Sequence, residues 1–258
     1  MSYLVFARKW RPKDFDEVVG QDHITRTLKG AIVSNKLAHA YLFTGPQGVG
    51  KTSCARILAK ALNCEKGPTD KPCCVCSSCV EIAEGRSLDV IEIDGASNRG
   101  IDEIRTLRDN VKFSPLNGRS KIYIIDEVHM LTQEAFNALL KTLEEPPPYV
   151  KFVFATTQPQ KVLPTILSRC QRFDFIRIPN LKIIDKLKEI TRQEKLKVEE
   201  DVFLAIAKAS EGSLRDAESI LDQLITFSNN EVKLGDVISV LGIIDQDAFF
   251  NFVEYLID

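Results

Sequence analysis

Eight consecutive residues, Gly45-Pro46-Gln47-Gly48-Val49-Gly50-Lys51-Thr52, carry the spacing G-x-x-x-x-G-K-[ST]. They follow the apolar run Tyr41-Leu42-Phe43. They open a segment, Ser53 to Leu62, in which Ala55, Ile57, Leu58, Ala61 and Leu62 recur at helical spacing. The order is strand, loop, helix. Glycines let backbone N–H groups turn inward around a polyphosphate where a Cβ would crowd it, and the helix beyond adds its positive end. Lys51 is placed to reach the β- and γ-phosphates and Thr52 to ligate Mg²⁺. The pattern predicts a nucleoside triphosphate site.

A second pair speaks to hydrolysis. The apolar run Ile122-Tyr123-Ile124-Ile125 ends in Asp126 and Glu127. Asp126 suits the Mg²⁺ shell, and Glu127 suits polarising an attacking water. That is the equipment of an ATPase. Thr157 ends the next strand, and in a parallel sheet strand C-termini gather on the ligand-binding edge. Its hydroxyl either meets the γ-phosphate or the water, or is satisfied within its own turn. Arg169 follows a short helix, where an arginine ordinarily complements the helix dipole. Arg215 lies in the first turn of a helix started by Ser213, a poor place for a cation unless an anion such as phosphate offsets it.

Seven cysteines are present, and four of them set a different chemistry. Cys73, Cys76 and Cys79 form C-x₂-C-x₂-C, and Cys64 lies nine residues upstream. This spacing predicts a zinc knuckle of Cys64, Cys73, Cys76 and Cys79, the alternative being reduced free thiols. Cys74 in place of Cys73 would leave a C-x-C spacing that is harder to wrap around one ion. Four thiolates leave no open position, so the metal would be structural. Cys54 and Cys170 are expected to be small buried packers.

These residues need a scaffold. Strands are predicted over Leu88–Asp94, Lys121–Glu127, Lys151–Thr157 and Gln171–Phe175, with helices around Asp102–Val111, Leu131–Glu145 and Val162–Leu167. Their alternation implies an α/β fold with a parallel sheet covered on both faces. After Pro179 the pattern becomes helical over Leu181–Lys195, Asp201–Ala209 and Leu214–Phe227, without a good strand. Ser213 and Asp216 form a capping-box-like start to the last of these. The expected organisation is a nucleotide-binding domain over 1–179 with a zinc-binding insertion at about 63–82, then a helical domain over 180–242. From about Leu241 a linker opens onto a further helix.

Composition bounds the rest. Hydrophobic residues make up 44% of the 258 and charged residues 27%, ordinary for a soluble globular protein. The net charge of −2 advertises no bulk affinity for nucleic acid. No apolar run reaches the length of a membrane span, and Arg8, Lys9 and Trp10 come too early for a signal peptide, so a cytoplasmic location is expected.

Taken in order, the motifs are Trp10-Arg11-Pro12, Val18-Val19-Gly20-Gln21, His39-Ala40-Tyr41-Leu42-Phe43, the phosphate loop and the cysteine knuckle. They continue with Ile125-Asp126-Glu127-Val128-His129-Met130, the run from Asn137 to Pro147 (NALLKTLEEPP), Ser168-Arg169-Cys170 and Gly212-Ser213-Leu214-Arg215-Asp216-Ala217. Across nearly the whole chain this resembles the gamma/tau subunit family of bacterial DNA polymerase III, AAA+ clamp-loader ATPases. The resemblance implies a P-loop NTPase with a five-stranded parallel sheet and a small helical lid, with 243–258 as the start of a truncated collar domain. It implies ATP, Mg²⁺ and Zn²⁺. It makes Arg169 an arginine finger acting in trans on a neighbour's ATP and Arg215 a second sensor of the γ-phosphate. It lets Arg11, Pro12, Val18 and Val19 line an adenine pocket, and lets Lys141, otherwise a solvated helix lysine, couple DNA to the carboxylates. The implied partners are other clamp-loader subunits in a hetero-pentamer, the sliding clamp and primer-template DNA, held through phosphates and shape. DNA-directed DNA polymerase (nucleotidyltransferase) activity would belong to the holoenzyme, because no polymerase site is visible in the chain. Two competing readings are a nucleotide-gated scaffold with negligible turnover and a helicase-like motor with the knuckle reading nucleic acid. The intact Lys51, Thr52, Asp126 and Glu127 weigh against the first, and the mixed charge around the knuckle (Glu65, Asp70, Glu81, Glu84) against the second.

Overall fold

The computed structural model describes residues 3–97, 101–228 and 231–242. In chain order these form α1 (Phe6–Lys9), α2 (Asp22–Val33), β1 (Ala40–Thr44), α3 (Lys51–Asn63), α4 (Ser77–Glu84), β2 (Val90–Asp94), α5 (Ile101–Asn110), β3 (Lys121–Asp126) and α6 (Gln133–Glu144). They continue with β4 (Val150–Thr156), α7 (Pro164–Leu167), β5 (Gln171–Asp174), α8 (Asn180–Glu194), β6 (Lys197–Val198), α9 (Glu200–Ala209), α10 (Leu214–Phe227), β7 (Glu231–Val232) and α11 (Leu234–Leu241). The chain divides into two units, residues 12–177 and residues 1–11 with 178–258.

The first unit is built on a five-stranded sheet in the order β2-β3-β4-β1-β5, with every pairing parallel. Its central strands are apolar at nearly every position because both faces are covered. Successive side chains alternate between two cores. Tyr41, Phe43, Ile122, Ile124, Val153 and Ala155 pack with α2 and α3 on one side. Leu42, Tyr123, Ile125, Phe152 and Phe154 pack with α5 and α6 on the other. Stacked rings of Tyr123, Phe152 and Phe154, with centroids 5.4 and 5.8 Å apart, stiffen that second face. Cys54 is fully buried in the first core, whereas Cys170 is only partly buried beside the second.

Three strands end one residue earlier than predicted, among them β5, which stops at Asp174 rather than Phe175. β3 stops at Asp126 and β4 at Thr156, so Glu127 and Thr157 are each the first residue beyond a strand. β3 leaves the sheet at that point because Glu127 turns into the left-handed region, φ 45° and ψ 45°.

The second unit is helical, with one addition that periodicity missed. β6 and β7 form a two-residue parallel pair, Lys197 opposite Glu231 and Val198 opposite Val232, too short for any alternation to register. The N-terminal residues group with this unit rather than with the nucleotide domain assumed for 1–179. Phe6 is buried, Tyr3 donates to Asp222 of α10, and Lys9 and Trp10 both bond Glu194 of α8, at 2.6 and 3.2 Å. Lys186 lies 5.4 Å over the Trp10 ring. The anchoring partners are thus on α8 and α10, and the division falls at 177/178, beside the expected 179. The helix expected after Leu241 lies outside the described residues. Among those residues no helix is long and apolar enough to cross a membrane.

Candidate nucleotide site and metal centre

The phosphate loop joins β1 to α3 at the C-terminal edge of the sheet. Gly45 N–H donates to Thr156 O at 3.2 Å, tying the loop to β4. Gly45 has φ +138°, and a Cβ there would stand 2.3 Å from Phe175 O, so no other residue fits. Lys51 opens α3, and its Nζ donates to the carbonyls of Gly45 and Pro46 at 2.8 and 2.6 Å. Burial lowers its pKa, and the charges of Glu127 and Asp126 act in the opposite sense. Thr52 Oγ1 donates to Asp126 Oδ2 at 2.5 Å, although β4 lies between β1 and β3 in the sheet. Two hard oxygen ligands are therefore side by side, which fits Mg²⁺.

Glu127 stands next to this pair. Its N–H bonds Asp126 Oδ1 at 2.9 Å, and its Oε2 accepts from Thr157 N–H at 3.2 Å and Thr157 Oγ1–H at 3.0 Å. The Thr157 hydroxyl is thus satisfied by the candidate base. Two further residues reach the carboxylate pair without having been singled out from the sequence. Gly95 N–H donates to Asp126 O at 2.8 Å, and a Cβ on Gly95 would stand 2.8 Å from Glu127 O and 2.9 Å from Asp126 O. The His129 ring lies 3.2 Å from Glu127 Oε2. The one signal in the sequence for it is the spacing Glu-x-His directly after a strand.

The other candidates lie elsewhere. Val18 is buried 3.9 Å from where a Gly50 Cβ would be, with Val19 and Pro12 half-buried, while Arg11 belongs to the helical unit. Arg169 is held by Glu144 at 2.6 Å and by Thr165 O at 2.7 Å. Lys141 is exposed on α6. Arg215 is exposed in the first turn of α10, whose start is capped by Ser213 accepting from Asp216 N–H at 3.3 Å.

The four predicted cysteines come together. One sulfur atom from each of Cys64, Cys73, Cys76 and Cys79 lies within 4.8 Å of all the others. Tetrahedral zinc with bonds of about 2.3 Å sets its sulfurs roughly 3.8 Å apart, so the set fits. Amide N–H groups support it: Cys73 N–H points to Cys64 Sγ and Cys76 N–H to Cys73 Sγ, each at 3.4 Å. Such bonds, first from Val75 and then from Cys76, draw the Cys73 thiol down to about 6, while burial pushes Cys79 up. Cys74, with φ +58°, turns instead to Lys13 O at 3.4 Å.

A family model described as DNA polymerase III, delta subunit, matches residues 20–179, and one described as DNA polymerase III clamp loader subunit, ATPase lid domain, matches residues 182–230. The chain is 54% identical to DNA polymerase III subunit tau of Bacillus subtilis over 95% of its length, and 49% identical to that of Escherichia coli over 100%. It is 44% identical to the gamma subunit of Buchnera aphidicola, spanning 69% of that protein. The chain belongs to the DNA polymerase III gamma/tau family. It spans 44% and 40% of the length of the Bacillus and Escherichia relatives. Among solved structures it is similar to the Thermotoga maritima RuvB Holliday junction branch migration motor, with a TM-score of 0.66 at 20% identity over 93% of this chain and 75% of that one. That likeness is one of fold, and it agrees with the AAA+ architecture expected of a gamma/tau chain.

Proposed function

We propose that this chain binds and hydrolyses ATP as a motor subunit of the bacterial clamp loader, which places the sliding clamp on primed DNA. The observation that carries the reading is the convergence of Lys51, Thr52, Asp126, Glu127 and Thr157 at one sheet edge, with Glu127 held by Thr157 rather than exposed in solvent. In this reading the amides from Gly45 to Thr52 cradle the phosphates, and Lys51 exchanges two loop carbonyls for phosphate oxygens. Thr52 and Asp126 would hold Mg²⁺, which would supply charge neutralisation for the phosphates. Glu127 takes a proton from the attacking water, and Thr157 keeps that carboxylate and the γ-phosphate end in register. Pro12, Val18 and Val19, together with Arg11, receive the adenine. Arg215 senses the γ-phosphate, and Arg169 serves a neighbouring subunit's ATP. Zn²⁺ in the Cys64, Cys73, Cys76 and Cys79 set is structural. Other loader subunits, the clamp and primer-template DNA are the partners, the compartment is the cytoplasm, and polymerisation itself belongs to the holoenzyme.

The test uses two variants in the assembled loader. Glu127→Gln keeps nucleotide affinity and lowers kcat by about 100-fold or more, the scale of general-base loss. Lys51→Ala weakens nucleotide binding itself. A Glu127→Gln protein with wild-type turnover would sink the hydrolytic reading.

A further inference from the structure

We propose that His129 is a positioning residue for hydrolysis, holding the Glu127 carboxylate in line through Nδ1 and linking it to the phosphate loop. The inference rests on the ATPase reading above and deepens it. His129 sits on the single helical turn Val128–Met130 that begins directly after Glu127, whose left-handed backbone folds the ring back over the preceding carboxylate. The His129 side chain is 4% exposed, so its contacts are nearly free of competing water.

Nδ1 lies 2.9 Å from Thr156 Oγ1 and 3.2 Å from Glu127 Oε2. An ionised carboxylate only accepts, so an unprotonated Nδ1 at that distance would set lone pair against lone pair. Nδ1 therefore carries the hydrogen and shares it between the two oxygens. The Thr156 hydroxyl is itself fixed, accepting from Gln158 N–H at 3.0 Å. Glu127 Oε2 thus receives His129 from one side and the N–H and hydroxyl of Thr157 from the other. With Oε2 pinned in this way the carboxylate plane is set, and Oε1 is the atom left to meet water.

Thr156 makes the link. Its carbonyl accepts from Gly45 N–H at 3.2 Å, at the start of the phosphate loop, while its hydroxyl faces His129. A loop that shifts on binding polyphosphate moves Thr156, and through His129 it moves the base. A misplacement of about 1 Å in a catalytic group can cost roughly 100-fold in rate.

The experiment replaces His129 by Asn, Gln and Leu in the assembled loader, and measures kcat, nucleotide affinity and Tm beside wild type and Glu127→Gln. Asn carries an N–H near the place of Nδ1, Gln carries one near Nε2, and Leu fills space without a donor. The expected result is near-wild-type kcat for His129→Asn and a fall of about 10- to 100-fold for Gln and Leu, with nucleotide affinity unchanged in all three. Wild-type turnover in every variant would overturn the inference. So would Leu keeping activity that Asn loses, which would mean packing alone. A His129→Asn protein without turnover, folded or not, overturns it too. Absent turnover in the wild-type complex would instead overturn the ATPase reading, and this inference with it.

Discussion

Gly95 has no side chain, yet it constrains the chemistry as tightly as the residues that do. It lies past the end of β2 with its N–H on Asp126 O, and a Cβ would press within 2.9 Å of two carbonyls in the Asp126–Glu127 turn. Real Cβ atoms do not approach backbone so closely, so Gly95→Ala must push that turn away. The expected outcome is a kcat lowered by about 10- to 100-fold, with nucleotide affinity nearly kept because the phosphate loop is untouched. Steady-state turnover measured beside a nucleotide titration checks this, and equal losses in both would point to a wider collapse. The contrast with Lys51 explains what could be read in advance. Lys51, Thr52, Asp126 and the four cysteines are legible because phosphate, magnesium and zinc chemistry demand those residue types at fixed spacing. Gly95 and His129 act only because the chain bends at Glu127, and no spacing rule encodes that bend.

At the scale of elements, α3 links the two candidate sites. It begins with Lys51 at the phosphate loop and is capped at its far end by Cys64, about 20 Å away at 1.5 Å per residue. Cys79 lies in α4, so a zinc ion would clamp the end of α3 to α4. Asn63 and Arg119 continue the brace. Asn63 Oδ1 accepts from Arg119 N–H and Ser120 N–H at 3.0 and 2.8 Å, just before β3. Removing zinc with a chelator, or making Cys76→Ser, is expected to lower Tm and expose thiols to a colorimetric reagent. Nucleotide affinity should fall much less, and a Tm indifferent to chelation would sink the structural-metal reading. A second element carries a pH dependence. Glu218 on α10 is 4% exposed, and burial raises its pKa from 4.5 to about 8, against the opposing charges of Lys186 on α8 and Arg11. Between those values the folded chain keeps a proton that the unfolded chain has lost, so stability falls as pH rises from 4.5 to 8. Glu218→Gln is therefore expected to melt higher than wild type at pH 8, with the gap closing toward pH 5. A gap independent of pH would show that Glu218 does not titrate in this window. Long amphipathic elements such as α6 and α10 were legible from their period of 3.6, and the β3 and β4 runs from apolar continuity. The pair β6–β7 and the anchoring of residues 3–11 on the helical unit were not, because both depend on partners distant in sequence.

At the scale of the whole molecule, the question is which residues serve this chain and which serve a neighbour. Lys51, Asp126, Glu127 and Thr157 form one cluster within residues 12–177, tied by bonds between them or to the phosphate loop. Arg169 stands outside that cluster, its guanidinium committed to Glu144 and Thr165 at the junction of α6 and α7. An exposed pair of this kind contributes little stability, about 1 kcal/mol or less, so a phosphate presented by another subunit could displace Glu144 cheaply. If Arg169 acts in trans, each chain holds half of two different sites. Mixing then gives a decisive result in an assembly containing several copies. Arg169→Ala chains keep their own phosphate site but offer no finger, and Lys51→Ala chains offer a finger but bind nucleotide poorly. Arg169→Ala chains alone should turn over ATP at about a thousandth of the wild-type rate or less, given what a missing arginine finger costs, and Lys51→Ala chains alone should be slow because their sites hold little nucleotide. Mixed assemblies should recover a substantial fraction, because some interfaces then pair an intact Lys51 with an intact Arg169. Recovery that tracks the statistical fraction of such interfaces would place the finger between subunits. An equal mixture no more active than its parts would mean that Arg169 serves its own chain, leaving its bond to Glu144 as a fixed part of this fold.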